Sequence, residues 1–379
     1  MAELIFTSEH FMPHNIAQPG VPMLLDDRMR LIEPACAWLL YVALIRGRTR
    51  SRQTWRAYGE ALVDWWQTLE ANGWVWDEVG TDEIAAYRDH MLQHPSGHTG
   101  NPYARSTING RIRVLSLFYK YCAATGLVAN SPLRSSELAL GRHRPSRFLA
   151  HVDASGGMQV VNDLTVRHTP MLPRPLAPEV IRRIMTDMGA RDRLIVEWAV
   201  TTGIRRMEVA ALKRSAVPNG GGNPLTAFRI EITKGGKPRL IYPPSTLLDR
   251  SWAYAREERA VAVRRARTRD PTYVDPDTLF LTDHGKTMTA RRVGAMFADA
   301  AQRCGIAAQF HSLRHTFASV MLRFLQRQAA QGADLNPLLT LQTVLGHADF
   351  ATTSIYLRVV ATDLGVIEAS VDDLYRALL

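Results

Sequence analysis

A chain of 379 residues is long enough for two domains with separate cores, and 46% apolar with 22% charged residues is an ordinary globular composition, which excludes wholesale disorder. The net charge of +10 suits a polyanionic partner, nucleic acid before membrane, because no long basic amphipathic helix stands apart from the rest. Cys36, Cys122 and Cys304 form neither a disulfide framework nor a zinc pattern, the apolar run at 34–45 is too short to span a bilayer, and residues 1–25 lack the basic start and apolar core of a signal peptide, so a cytoplasmic protein is expected.

Residues 1–25 contain Pro13, Pro19, Gly20 and Pro22 and read as an irregular N-terminal arm. A helical domain is expected at 26–133. Its first helix covers 26–46. Its second covers 51–72, with Trp55, Tyr58, Leu62, Trp65, Trp66 and Leu69 at helical spacing and Gly73 as the stop. Thr81-Asp-Glu-Ile is a helix start, and Ser106-Thr-Ile-Asn-Gly-Arg opens a fourth helix closed near Gly126. Arg105, Arg111 and Arg113 form a basic stripe on that helix, a candidate DNA-binding face. Residues 134–175 lose periodicity and are rich in Pro and Arg, including Arg142 and Arg144, and read as a basic linker.

The second domain, 176–379, opens with Leu176-Ala-Pro-Glu. A helix at 191–201 stops at Gly203, Arg205 stands at the turn, and a new helix starts at Met207. Residues 226–233 alternate as a strand, Lys234-Gly-Gly-Lys237 makes a hairpin turn, and the return strand begins at Arg239. Helices follow at 246–268, 289–304, 312–331 and 337–345. The expected fold is mainly α with a small antiparallel β-sheet.

Several residues carry chemistry. Arg205 lies in T-G-I-R-R-M-E, where its guanidinium could fork two hydrogen bonds onto a phosphate with Glu208 holding it in place. His311, Arg314 and His315 share one helix face at i, i+3 and i+4; a zinc site is not expected, because there is no H-E-x-x-H glutamate and a cation separates the histidines. His347 lies in L-G-H, and Tyr356 in T-T-S-I-Y follows nine residues later. Gly285-Lys286-Thr287 is not a P-loop, since Phe280 stands where its first glycine belongs.

Together, T-G-I-R-R-M-E-V-A-A-L at 202–212, F-H-S-L-R-H-T-F at 310–317, L-G-H at 345–347 and T-T-S-I-Y at 352–356 resemble the tyrosine recombinase, or phage integrase, family, and the S-T-I-N-x-R helix looks like that family's core-binding domain. The resemblance covers roughly 30–379. It implies a two-domain DNA clamp that cuts and rejoins DNA at specific sites without cofactor or metal. In such an enzyme Tyr356 is the nucleophile and forms a 3′-phosphotyrosine. Arg205, Arg314 and His347 stabilise the phosphate, His311 is the candidate base and His315 is supporting. Lys234 is the general acid, with Lys237 as its competitor and a DNA-binding candidate. The implied partner is double-stranded DNA with inverted half-sites, bound by dimers that pair into tetramers and exchange strands through a Holliday junction, with accessory DNA-bending or directionality proteins and a mobile-element role. A type IB topoisomerase-like enzyme and a non-catalytic DNA-binding regulator are the alternatives. Two departures stand out: a long 316–344 interval, and Arg358 where a histidine often follows the nucleophile.

Overall fold

The computed structural model describes residues 1–46, 51–97, 100–133, 135–139, 158–167, 172–218, 227–231, 238–346 and 350–361. The chain divides into two compact units, Met1–Pro170 and Met171–Leu379.

In the first unit, the stretch read as an irregular arm begins and ends in strands. β1 (Glu3–Phe6) pairs antiparallel with β2 (Pro22–Leu25), and their inward side packs on the helices. The approach is close: a Cβ on Gly59 would lie 2.6 Å from Pro22 Cβ, so that helix position has to be glycine. α1 (Glu33–Leu40) starts later than expected from the sequence, at Glu33, with Pro34 in the first turn, where its missing N–H has no helical partner to lose. α2 (Arg52–Asn72) buries Trp55, Leu62, Trp65, Trp66 and Leu69 and stops at Gly73, which is left-handed at φ 67°. α3 (Thr81–Gln93) starts at Thr81 as expected, with Gly80 as its cap: the Glu83 carboxylate accepts from the Gly80 backbone N–H. α4 (Arg105–Ala124) buries Ile108, Ile112, Leu115, Phe118 and Tyr119 against α2, and Trp65 Nε1 donates to the Tyr119 hydroxyl at 3.2 Å.

The stretch read as a linker contains β3 (Ser135–Ala139) paired antiparallel with β4 (Met158–Asn162). After it, Leu164 is buried in the first unit's core, and the Asn109 side chain bridges the backbone N–H and carbonyl of Val166. The chain between the two expected domains is therefore partly built into the first unit.

The second unit is helical around a two-stranded sheet. Its main core draws on α5 (Pro178–Met185), α6 (Ala190–Thr202), α7 (Arg206–Ala210), β5 (Phe228–Ile230), β6 (Arg239–Ile241), α8 (Ser245–Arg256), α10 (Ala290–Arg303) and the start of α11 (Phe310–Ala330). The single helix expected at 246–268 breaks at Glu257 (φ −98°, ψ −90°), and α9 (Glu258–Arg269) follows. The far half of α11 makes a second cluster with α12 (Pro337–Leu345) and α13 (Phe350–Ala361), built on Phe317, Leu322, Leu325, Leu341, Leu345 and Tyr356. α13 has no counterpart among the helices expected from sequence. Among the described residues no helix is long and apolar enough to cross a membrane.

Candidate active site

Six elements meet at the site: the ends of α6 and α12, the start of α7, β6, α11 and α13. α6 ends at Gly203, left-handed at φ 63°, and the Phe317 ring fills the space a Cβ would need there. That turn places Arg205 at the start of α7, where the Glu208 carboxylate caps the helix by accepting from the Arg205 backbone N–H at 2.9 Å. Glu208 is only 1% exposed. Its Oε1 takes Arg205 Nη1 at 2.8 Å, and its Oε2 also takes Arg239 Nη2 at 2.8 Å. Burial pushes the Glu208 carboxyl up, but Arg239 and Arg205 outweigh burial and hold it below the usual carboxylate range.

The end of α12 receives the arginines. A helix C-terminus leaves its last carbonyls without intrahelical partners and carries partial negative charge. Here three consecutive carbonyls are taken by three different guanidiniums: Val344 by Arg239, Leu345 by Arg314 (2.7 Å) and Gly346 by Arg205 (3.4 Å). Arg314 and Arg239 also both donate to the Gly203 carbonyl. Gly346 is left-handed at φ 62°, and a Cβ there would come within 2.6 Å of Arg239 Cδ. One turn therefore satisfies a backbone requirement and a packing requirement together.

Arg314 is 1% exposed, and burial, then Arg205 and Arg239, bring its pKa down to about 9. It stays charged at neutral pH, in surroundings where one carboxylate, Glu208, faces three guanidiniums. Arg205 is the more open guanidinium, 20% exposed against 5% for Arg239.

Tyr356, on α13, is 2% exposed, and its hydroxyl lies 2.8 Å from His315 Nδ1. Burial raises the phenol pKa, while Arg314 and Arg205 pull it back. Burial, with His311 and Arg314, lowers His315 to about 4, so its imidazole is neutral at pH 7. The exposed His311 packs edge-to-face on His315, ring centroids 4.4 Å apart.

The structure thus brings together Arg205, Glu208, His311, Arg314, His315 and Tyr356. Lys234, Lys237, His347, Arg142 and Arg144 lie outside the described residues. Arg105 and Arg113 are exposed on α4, Arg105 donating to the Arg167 carbonyl. Arg111 departs from the stripe expected of it. Its guanidinium is half-buried, held on Asp64 at 2.5 Å and over the Tyr103 ring. Sequence reasoning passed over Arg239, although strand alternation marks it: it shares the inward face with buried Ile241, while Leu240 between them is exposed.

The sequence profile of the phage integrase family matches residues 174–362. A tyrosine recombinase XerD of Ralstonia nicotianae is 27% identical over 84% of this chain and 88% of its own length. Another XerD, from Listeria innocua, is 30% identical over 56% of this chain and 67% of its own. Among solved structures, the XerH site-specific recombinase bound to palindromic difH substrate superposes with a TM-score of 0.56 at 18% identity, covering 88% of this chain and 84% of that one. A λ integrase (75–356) dimer bound to a COC′ core site gives 0.53 at 16% identity, covering 84% and 94%.

Proposed function

This chain belongs to the phage integrase family of tyrosine-type site-specific DNA recombinases, and on that premise we propose that Tyr356 cuts and rejoins DNA through a 3′-phosphotyrosine. The observation that carries this reading is the Tyr356 hydroxyl, 2.8 Å from a neutral imidazole and within the field of Arg314 and Arg205. A free phenol has a pKa near ~10 and is a weak nucleophile at neutral pH. In the proposed step the phenol gives its proton to a histidine as its oxygen attacks phosphorus. In this reading His315 Nδ1, 2.8 Å from the hydroxyl, accepts that proton, and His311 lies edge-to-face beside it. The new P–O bond conserves the energy of the bond to the departing 5′ oxygen, which takes a proton from Lys234, the preferred acid over Lys237. Arg205, Arg314 and His347 stabilise the non-bridging oxygens by pre-placed donors, each typically worth roughly 10²–10³ in rate.

In this reading the substrate is duplex DNA with inverted half-sites, bound through both units. Arg105, Arg113, Arg142 and Arg144 contact phosphates. Two subunits occupy a site, and four exchange strands through a Holliday junction, assisted by DNA-bending or directionality proteins. The setting is the cytoplasm, and the role is integration or excision of a mobile element. A relative in fold, the Tn1549 transposon integrase, was solved with circular intermediate DNA, which makes the DNA flanking this chain's own gene the first substrate to try. Nicked suicide duplexes from that DNA are expected to trap a covalent protein–DNA adduct with the wild type and none with Tyr356→Phe. Tight binding with no adduct from either protein would overturn the catalytic reading.

A further inference from the structure

We propose that Arg239 is a positioning residue for catalysis, which aims Arg205 by holding Glu208 and the end of α12 in one arrangement. The inference rests on the strand-cleavage reading above. Arg239 does not present itself to a substrate: its side chain is 5% exposed, and Nη1 and Nη2 are both committed to protein acceptors, while the buried Nε makes no hydrogen bond among the described residues. What it does is divide Glu208 between two arginines. With Oε2 occupied by Arg239 Nη2 and by the Arg205 backbone N–H, Glu208 offers Oε1 to Arg205 Nη1, which fixes the plane of the Arg205 guanidinium. Arg239 also donates from Nη1 to the Val344 carbonyl, and its Cδ lies where Gly346 has no Cβ. The Arg205 Nη2 contact to the Gly346 carbonyl sits on that same turn.

Arg239 therefore joins three things: strand β6, the carboxylate behind Arg205, and the Gly346 turn at the end of α12. Lysine cannot replace it. One ammonium on a flexible stem cannot reach Glu208, Val344 and Gly203 in the fixed fork that a guanidinium provides.

The test compares wild type, Arg239→Met and Arg239→Lys by thermal unfolding, by DNA affinity, and by single-turnover cleavage of suicide duplexes. The scissile group is either a normal phosphate or a methylphosphonate, which lacks the non-bridging charge that Arg205 would meet. Arg205→Ala serves as the reference. The expected result for both Arg239 variants is DNA affinity within about twofold of wild type and cleavage of the normal phosphate slowed by up to about 10²-fold, the scale of an ångström-sized misplacement at a reacting centre. The defect should shrink on methylphosphonate as it does for Arg205→Ala. Arg239→Lys keeps a cation beside Glu208, so it keeps the comparison open if Arg239→Met fails to fold.

Equal slowing on both substrates, in proportion to lost folded protein, would reduce Arg239 to a stability residue and overturn the proposal. Wild-type rates in a folded Arg239→Lys would do the same. Absence of any adduct with the wild type would instead overturn the cleavage reading, and the positioning role with it.

Discussion

Each unit of this protein buries an arginine–carboxylate network, and the two differ in whether their charges balance. In the first unit Asp64 accepts from Arg111 and from the Tyr87 hydroxyl, both at 2.5 Å, and the guanidinium covers the Tyr103 ring. Among the described residues there, one carboxylate meets one cation, and the phenol supplies a neutral donor. In the second unit one carboxylate, Glu208, holds two guanidiniums, and a third, Arg314, is close enough to feel both of them. Backbone carbonyls supply acceptors for the surplus donors but no full negative charge. A balanced network needs nothing further. A surplus of buried positive charge is costly alone and is relieved by an anion, which is what a DNA phosphate would bring.

The sharpest way to break this contrast is to remove the carboxylate. Glu208→Gln should destabilise the second unit by about 3–5 kcal/mol, the range for breaking a buried pair on one side, read as a lower urea midpoint. A near-neutral effect would mean that the carbonyls alone hold the arginines. Next comes Arg205→Ala, expected to slow single-turnover cleavage by roughly 10²–10³ while leaving the far-ultraviolet spectrum unchanged. Arg111→Met, in the balanced network, should cost about 2 kcal/mol of stability, less than Glu208→Gln because its side chain is 15% exposed. The cleavage rate per folded molecule should not change. A cleavage defect larger than its binding defect would place Arg111 in the chemistry after all.

Smaller effects follow from pH and from anions. His315 is held neutral, down to about 4, whereas an unfolded histidine titrates near ~6.5. The unfolded chain thus binds the extra proton first. This group's contribution is present above pH ~6.5 and is lost as pH falls toward about 4. In His315→Asn the loss of melting temperature across that window should be smaller than in wild type; an identical loss would mean that the imidazole titrates normally in the folded protein. Last, inorganic phosphate at half-saturation should stabilise the wild type by about 0.4 kcal/mol, a rise in Tm of about 1 °C. Arg205→Ala should show less. A rise of equal size in both would mean that the ion binds elsewhere.

Much of this arrangement was legible in the chain. The stops at Gly73 and Gly203 were readable because a left-handed terminus favours glycine, and helices such as α2 and α11 were readable because their apolar residues recur with the helical period. Tyr356, Arg205 and Arg314 were recognisable from the company they keep in order along the sequence. Where the signal was weak, the reason is physical. The N-terminal ribbon was missed because strands as short as Glu3–Phe6 and Pro22–Leu25 are stabilised by the helices under them and not by their own pattern. α13 was missed because T-T-S-I-Y-L has no strong period of its own; its place comes from packing on α11 and α12.

Residue type and spacing, which are local, thus determined the helical class, the main helix stops and six of the candidate residues that the fold brings together. Which partner each charged group takes was decided only in three dimensions. Arg111 and Arg113 are two residues apart on one helix, yet one is bound to Asp64 and the other is exposed, because a helix turns them toward different surroundings. Arg239 was an ordinary strand residue until folding set it against Glu208, thirty-one positions away, and against the carbonyl of Val344. Burial and charge balance are sums over neighbours distant in sequence, and the folded chain is where those neighbours meet.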